Sequence, residues 1–459
     1  MYQDLSFMKI PLPEDVLKLK NFGDYEGALK MINHFLGKDI PVALRKRLEI
    51  EQEIIRVIGI AEYPFSYEDA LEILRKNISD FKDEELQELK EIGAADWIFI
   101  DGKVHFQRRF YETLIKTRPA YAARVMVPDD EEVKFSEIKN TILNGNIAYM
   151  KENGGRTVRT RIRSTIQAKK EFEEVGRKVR VHLPIPKVYQ QVKSVEILAS
   201  SPEITFVAPE DADQRTVYFE TELKEDQEFM VEYTYDYHID YVELDPEKVD
   251  AEQPTFCLEE QSPHIRFTPY LQEIVKELVG DETNPVVKAR RFYDFVTTKI
   301  MYSYMREYFT IECIPEYCAV NQKGDCGVQA LLFITLCRIA GIPAKWQAGL
   351  YVTDYYTGCH DWAQFYIAPY GWVYADCSFG GSAWREGEYE RWNYYFGNLD
   401  IYRMPSCSEV VKEFIPPKKW LRGDPVDNQR GEFEYEDHGL LYSQLEVKQE
   451  LISMEDIDE

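Results

Sequence analysis

The stretch Gly324-Asp325-Cys326-Gly327, followed by an apolar run from 328 to 339, decides the fold of the chain. The run contains no helix breaker, so it is predicted to form a helix with Cys326 in its first turn. His360 follows 34 residues later, and Asp376 another 16 residues after that. Cysteine, histidine and aspartate are the residue types of a thiol triad, in which they serve as nucleophile, base and orienting group. The sequence therefore predicts a triad of Cys326, His360 and Asp376.

Three segments around the histidine are rich in aromatic and β-branched residues, which is typical of strands. They span 346–352, 362–367 and 372–375. We expect neighbouring antiparallel strands packed on the helix, with the last two joined by a turn at Pro369-Tyr370-Gly371. His360 at the start of one strand and Asp376 at the end of the next then lie at the same edge of the sheet. Asp361 and Asp354 are alternative orienting groups.

The thiol needs help to act as a nucleophile, because an unperturbed cysteine has a pKa of about 8.5. A helix N-terminus and a nearby imidazolium both lower that pKa. The sequence predicts both for Cys326. The developing oxyanion is expected to meet the backbone N–H of Cys326 and one further donor.

Several residues near the triad are candidates for positioning the substrate. Gln322, Tyr302 and Tyr304 are possible second donors to the oxyanion, and the spacing does not choose among them. Trp362 is a further candidate, although packing beneath the site is the favoured interpretation for this side chain.

Composition bounds the class of protein. The chain has 459 residues and a formal net charge of −26, which argues against a nucleic-acid-binding surface. We find no signal-peptide pattern at the start and no run of about twenty apolar residues, so a cytoplasmic protein without membrane contact is expected. The eight cysteines are then expected to be free thiols.

The pattern of periodicity divides the chain into six parts. Helical spacing predicts a helical region over 1–120, and alternation of period two predicts an antiparallel β-sandwich over 155–244. The remaining parts are a connecting helical segment at 121–154, a linker at 245–265, the domain of the triad at 266–405 and an acidic extension at 406–459. The end of that extension is predicted to be solvated and loosely held. The fold class is α+β and multidomain.

A metal site is the second interpretation of the cysteine-rich stretch. Its possible ligands are Cys313, Cys318, Cys326, Cys359, His360 and Cys377. No Cys-x-x-Cys pair occurs among them, and such pairs are typical of structural zinc sites. We therefore expect no metal and no other cofactor.

The same residues resemble the transglutaminase-like superfamily. The resemblance is carried by Cys326 with Gln329-Ala330-Leu331-Leu332-Phe333, by Ala340-Gly341-Ile342-Pro343-Ala344, by His360-Asp361-Trp362 and by Gly371-Trp372-Val373-Tyr374-Ala375-Asp376. It extends over about 290–404, including the tract 395–404. Two positions depart from the common pattern. Asp361 stands where many members have a small residue, and Cys377 where many have proline.

The resemblance implies a papain-like core in which a helix-borne cysteine packs on an antiparallel sheet. It places the nucleophile at Cys326, the base at His360 and the orienting carboxylate at Asp376. The chain looks most like the bacterial members described as cysteine proteases, so hydrolysis of a peptide or side-chain amide through a Cys thioester is the leading expectation. Protein-glutamine transamidation with an amine acceptor is the alternative reaction.

A non-catalytic scaffold that keeps the fold and binds proteins is the alternative from another class. The intact trio of Cys326, His360 and Asp376 counts against it. The expected partner is a protein or peptide substrate, and the N-terminal helical region could bind further proteins. Asp361 lies beside His360, but neighbouring side chains of a strand point to opposite faces, so little direct effect on the imidazole is expected.

Overall fold

The computed structural model of the chain describes residues 5–126 and 130–457. Within these ranges the α-helices are α1 Glu14–Asn21, α2 Tyr25–Leu36, α3 Val42–Val57, α4 Tyr67–Asn77, α5 Asp83–Glu91, α6 Phe110–Thr117, α7 Pro119–Ala122, α8 Asp130–Asn153, α9 Pro269–Val279, α10 Pro285–Lys299, α11 Ile314–Asn321, α12 Cys326–Ile339, α13 Cys377–Glu386 and α14 Tyr389–Tyr394.

The strands in the same part of the chain are β1 Phe65–Ser66, β2 Trp97–Ile100, β3 Lys103–Phe106, β4 Gly155–Ala168, β5 Lys178–Pro184, β6 Val192–Ser201, β7 Phe206–Val207, β8 Thr216–Glu222, β9 Phe229–Asp240, β10 Met301–Tyr302, β11 Lys323–Gly324, β12 Ala344–Val352, β13 Thr357–Ile367, β14 Gly371–Ala375, β15 Phe396–Gly397, β16 Arg403–Cys407, β17 Glu432–Tyr435 and β18 Leu445–Asp456.

The N-terminal region is mainly helical, and its helices begin at capping residues. Asp24 accepts a hydrogen bond from the backbone of Gly27 at the start of α2, and Ser66 forms a capping box with Asp69 at the start of α4. A small antiparallel sheet, in the order β1-β3-β2, interrupts the helices. The predicted helical region thus also contains a hairpin.

A sandwich of two four-stranded sheets follows, with strand orders β18-β4-β9-β6 and β17-β5-β8-β7. The sheets meet through aromatic side chains, because the Phe229 ring contacts the rings of Phe219 and Phe433 from the other sheet at 5.6 and 5.7 Å. Along β4, burial alternates with exposure from residue 158 to 164. On the exposed side, Arg159 pairs with Asp236, and Arg161 and Arg163 pair with Glu232.

The C-terminal part of the chain is built into this sandwich. Strand β17 pairs with β5, and β18 pairs with β4 along nearly its whole length. The prediction of a loosely held acidic end is therefore wrong up to Asp456. Its charges alternate along an edge strand, so the apolar side chains Leu445, Val447 and Leu451 face protein while most acidic ones face solvent.

The domain that carries the predicted triad packs helices on a five-stranded antiparallel sheet, in the order β15-β14-β13-β12-β16. Helix α12 lies against this sheet, and ring contacts such as Phe333 with Phe365 at 5.5 Å join them. All residues of α12 from Gly327 to Arg338 are buried. A helix apolar on every side must be enclosed by other elements, and α9, α10, α11 and α13 also contact it.

Candidate active site

Cys326 is the first residue of α12, which begins with an aspartate cap. Asp325 accepts a hydrogen bond from the backbone N–H of Val328 at 3.3 Å and another from the Tyr308 hydroxyl at 2.6 Å. A Cβ atom at Gly327 would lie 2.4 Å from the Tyr308 hydroxyl and 2.6 Å from Asp361 Oδ2, so a larger residue would displace these two side chains. These contacts fix the backbone on which the thiol stands.

His360 and Asp376 face each other across adjacent strands at the edge of the sheet. His360 Nε2 lies 2.7 Å from Asp376 Oδ2, and both side chains are buried. Arg403 Nη1 approaches the same carboxylate oxygen at 2.9 Å, and the same guanidinium pairs with Asp400. Asp376 also accepts hydrogen bonds from Ser378 and from the backbone of Phe379, so it is fixed from several sides.

These contacts set the ionisation of the pair. Burial opposes the charge on Asp376, but His360 and Arg403 outweigh it and lower the pKa of the carboxyl to about 2. For His360, burial lowers the pKa below its usual value, and Asp376 offsets this only in part. The imidazole is therefore neutral near pH 7 and faces an ionised carboxylate, as a general base requires.

The thiol of Cys326 forms a hydrogen bond with Asp361. Its Sγ donates to Asp361 Oδ2 over 3.3 Å, and the hydrogen bonds of His360 in the described structure do not include Cys326. Residues 360 and 361 leave β13 on opposite faces, so the strand alternation expected from the sequence holds. The sequence did not predict which face of β13 lies beside Cys326. In the structure it is the face that carries Asp361.

A carboxylate beside a buried thiol changes the pKa of both groups. Burial first, and then the charges of Asp361 and Asp325, raise the pKa of Cys326 well above its usual value. Burial and the charge of Asp325 raise the pKa of Asp361 to about 7, and burial raises that of Asp325 to about 6. We predicted a lowered thiol pKa, and the direction in this resting geometry is the opposite, because desolvation and two carboxylates outweigh the helix start.

A cavity of about 620 Å³ contains Cys326, His360 and Asp361 in its wall. Three distant parts of the chain complete the wall. Arg109 and Lys116 come from the N-terminal helical region, Lys139 comes from the connecting helix α8, and Gln429 comes from the segment before β17. Gln429 Nε2 donates to Asp361 Oδ1 at 2.6 Å and to the backbone carbonyl of His360 at 3.1 Å, so the C-terminal segment fixes this part of the site.

One segment of the chain matches a known family of proteins. Residues 272–377 match the family model of the transglutaminase-like superfamily. The chain contains a transglutaminase-like domain. The resemblance inferred from the sequence is thereby confirmed for this segment, which includes Cys326, His360 and Asp376. No curated protein matches the chain.

Solved structures similar to the chain share little sequence with it. One is described as "a Putative Cysteine Protease from Cytophaga hutchinsonii", at 14% identity and a TM-score of 0.41, covering 66% of this chain and 92% of the other. Another is the periplasmic domain of TgpA from Pseudomonas aeruginosa, at 14% identity and a TM-score of 0.28, covering 55% of this chain and 96% of the other.

The structure separates the predicted positioning residues into two groups. Tyr302 and Tyr304 line the cavity of the transglutaminase-like domain, with their ring centroids 5.6 Å apart. Gln322 ends α11 with an exposed side chain and does not line the cavity. Trp362 is fully buried, donates to Gln347 at 2.6 Å and lies with its ring centroid 6.0 Å from that of His360, which is a packing position.

Two functional contacts were missed from the sequence. Arg403, which holds Asp376, lies in the tract 395–404 that carried part of the resemblance, so a signal was present. Asp361 was noted as a departure from the family pattern and as an alternative orienting group for His360, but its hydrogen bond with Cys326 was not predicted. Asp354, the other alternative orienting group, is exposed and makes no ion pair with the described residues. Among the described side chains, no group of three or more His, Cys, Asp or Glu is placed to hold a metal ion, and no helix is long and apolar enough to span a membrane.

Proposed function

We propose that the protein hydrolyses an amide bond of a peptide or protein through a thioester on Cys326. One observation carries the proposal. A histidine held at 2.7 Å by a buried carboxylate lines the same cavity as a cysteine at a helix start. Such a histidine has one nitrogen occupied by the carboxylate and the other available for proton transfer, which is the arrangement of a nucleophile activated by an oriented base.

In the proposed reaction, Cys326 Sγ attacks the amide carbonyl carbon while His360 takes the thiol proton on Nδ1. The C–N bond then breaks, and His360 returns the proton to the leaving amine. Water attacks the thioester while His360 takes a proton from it. The C–S bond then breaks, and His360 returns the proton to the sulfur, which gives a carboxylic acid and the free thiol. Asp376 stabilises the imidazolium in both halves without itself being protonated.

The resting geometry adds one step to this sequence. The thiol must exchange its hydrogen bond to Asp361 for one to His360 before attack, because only one proton acceptor can receive the S–H at a time. The backbone N–H of Cys326, in the first turn of α12, is a proposed donor to the oxyanion, since helix N-termini leave such groups without an intrahelical partner.

Water is the proposed acceptor in preference to a lysine amine. Arg109, Lys116 and Lys139 line the cavity, and their charges disfavour the approach of a cationic amine. Transamidation is the alternative, and it would require that the amine reach the thioester past these side chains.

A peptide-library experiment tests the proposal. The wild type and Cys326→Ala are incubated with the library, with and without an added primary amine, and products are read by mass spectrometry. Cys257→Ala is the control, since Cys257 is a half-exposed thiol outside the cavity. Hydrolysis products that depend on Cys326 and persist without amine are expected. Products found only with amine would replace hydrolysis by transamidation, and the absence of any Cys326-dependent product would favour the scaffold.

A further inference from the structure

One wall of the cavity carries positive charge, although the chain as a whole has a net charge of −26. Three side chains form this cationic wall. Arg109 before α6 and Lys116 on α6 belong to the N-terminal helical region, and Lys139 on α8 belongs to the connecting helical segment. Charges of one sign clustered in a cleft focus the local potential and attract ligands of the opposite charge.

Two of the three charges of the cationic wall are weakly compensated, whereas Lys139 lies 3.6 Å from the Glu386 carboxylate. Lys116 forms no ion pair with a described carboxylate, and its Nζ lies over the rings of Tyr302 and Tyr304 at 4.0 and 5.3 Å. Arg109 stacks over Tyr304 at 3.3 Å and reaches Glu112 only at 3.6 Å, with both side chains about half exposed. By contrast, Arg108 in the same cavity is paired with both Glu62 and Glu307.

The cationic wall is close to the nucleophile. The side chain of Lys116 remains accessible from the cavity, yet the surrounding protein desolvates it, and Lys139, Arg385 and Arg109 add repulsion, so its pKa falls to about 8. The charge of a Cys326 thiolate acts on the same amine in the opposite direction. An anion bound by Lys116 would therefore lie next to the acyl group under attack.

We propose that the cationic wall binds a carboxylate of the acyl donor, so that the enzyme acts on acidic peptides. The inference rests on the proposed function, since it names the substrate class of the same site. A carboxylate can accept from an ammonium and a guanidinium at once, and the aromatic floor of Tyr302 and Tyr304 keeps both cations in place. The carboxylate could belong to an Asp or Glu side chain or to a free C-terminus, and the test distinguishes the two.

The first test compares two small electrophiles that differ in charge. Iodoacetate and iodoacetamide alkylate the same Cys326 thiolate, so the ratio of their rates is independent of the thiolate fraction. We expect the rate with iodoacetate, divided by the rate with iodoacetamide, to fall about threefold to tenfold in Lys116→Gln and to recover in Lys116→Arg. In the wild type this ratio should fall with added salt. Lys276→Gln is the control, because Lys276 is exposed on α9 and outside the cavity.

The second test uses Cys326→Ala, which can bind peptides without reacting, and measures binding by calorimetry. Matched peptides carry Glu with an amidated C-terminus, Gln with a free C-terminus, or Gln with an amidated C-terminus. If the Glu peptide binds more tightly than the amidated Gln peptide, and the difference is lost in Lys116→Gln, the cationic wall binds an acidic side chain. If the Gln peptide with a free C-terminus shows this gain in affinity instead, the cationic wall binds the α-carboxylate.

The outcomes separate the two proposals. If Cys326 is alkylated but neither the rate ratio nor peptide binding depends on Lys116, the cationic wall has no substrate role and the proposed hydrolysis still stands. If acidic peptides bind through Lys116 but no Cys326-dependent product forms in the library experiment, the binding site stands and the hydrolysis fails.

Discussion

Asp361 Oδ2 accepts a hydrogen bond from the thiol of Cys326 over 3.3 Å, although Asp361 is the neighbour of His360 in the chain. The strand sends the two side chains to opposite faces, so one residue pair supplies both an imidazole held by Asp376 and a carboxylate that holds the Cys326 thiol. The carboxylate favours the protonated thiol, because a thiolate beside it would be repelled. The resting site is therefore a thiol and a neutral imidazole.

Replacing Asp361 by Asn should make the thiol more reactive. Burial is the largest cause of the raised pKa of Cys326, and the substitution removes the next one, the charge of Asp361, while the amide keeps a similar shape. We expect the rate of Cys326 alkylation by iodoacetamide at pH 7 to rise about threefold or more, because the thiolate fraction grows tenfold for each pKa unit lost. Peptide mass spectrometry gives the rate at each cysteine. Asp354→Asn, at an exposed position nearby, should leave the rate unchanged, and a slower reaction in Asp361→Asn would contradict the assignment.

Stability should fall as the pH rises from about 5.5 to 8. Asp325, Asp361 and Glu307 have pKa values raised by burial to about 6, 7 and 8 in the folded protein. In the unfolded chain these carboxyls ionise near pH 4, so between the two values the folded state binds more protons and loses stability with rising pH.

Denaturant unfolding at several pH values measures this slope. We expect a loss of at least ~1 kcal/mol in the free energy of unfolding across that range. The slope should be shallower in Asp361→Asn and unchanged in Asp354→Asn. The buried His182, His264 and His360 have lowered pKa values and act in the opposite direction, mainly below about pH 6.5. A free energy that rises between pH 7 and 8 would therefore show that Asp361 and Glu307 are ionised in the folded protein.

Arg403 should be needed for both stability and activity. Its guanidinium is fully buried between Asp376 and Asp400, so Arg403→Gln leaves two buried carboxylates without their cation. Breaking a buried pair from one side costs about 3 to 5 kcal/mol. Arg159→Gln is the matched control, since Arg159 pairs with Asp236 at a surface that leaves the arginine 49% exposed, where solvent screens the pair and a much smaller loss is expected. Equal effects of the two substitutions on urea unfolding would overturn the role of Arg403.

The C-terminal strand should be protected from hydrogen exchange. β18 pairs with β4 from Leu445 to Asp456, so its inward-bonded amides are expected to exchange far more slowly than those of an unstructured tail. Ending the chain at residue 444 should lower stability and also disturb the cavity, because Val447 and Gln449 line it. Fast exchange throughout 445–456 would contradict this pairing and would support the loosely held end that the composition predicts.

Local pattern was sufficient for the elements that hold the nucleophile and base. Glycines, a capping aspartate and an unbroken apolar run indicate a helix start at Cys326, where α12 begins. Alternation along 158–164 likewise indicates the half-exposed strand that β4 forms. Both signals lie within a few residues, so they need no knowledge of the rest of the fold.

Long-range pairing could not be predicted in the same way. The acidic residues of β18 indicate solvent exposure, and this is correct for their side chains, but only the partner strand β4 decides that the backbone is ordered. The contact of Asp361 with the Cys326 thiol depends on which face of β13 helix α12 covers, and alternation alone does not predict that face. Lys116 reaches the cavity from 210 residues before Cys326, a distance at which sequence spacing carries no information.

His360 should be indispensable for turnover but not for folding. Its imidazole is the proton acceptor in both halves of the proposed reaction, so His360→Gln should lower the rate of Cys326-dependent cleavage by about 10² to 10⁴. Asp376→Asn should give a loss of similar direction by removing the group that orients the ring at 2.7 Å. Chemical rescue distinguishes the loss of the base from a structural effect of the substitution. Added imidazole should restore part of the activity of His360→Gly and none of that of Cys326→Ala, and cleavage that survives in His360→Gln at the wild-type rate would assign the base to Asp361 instead.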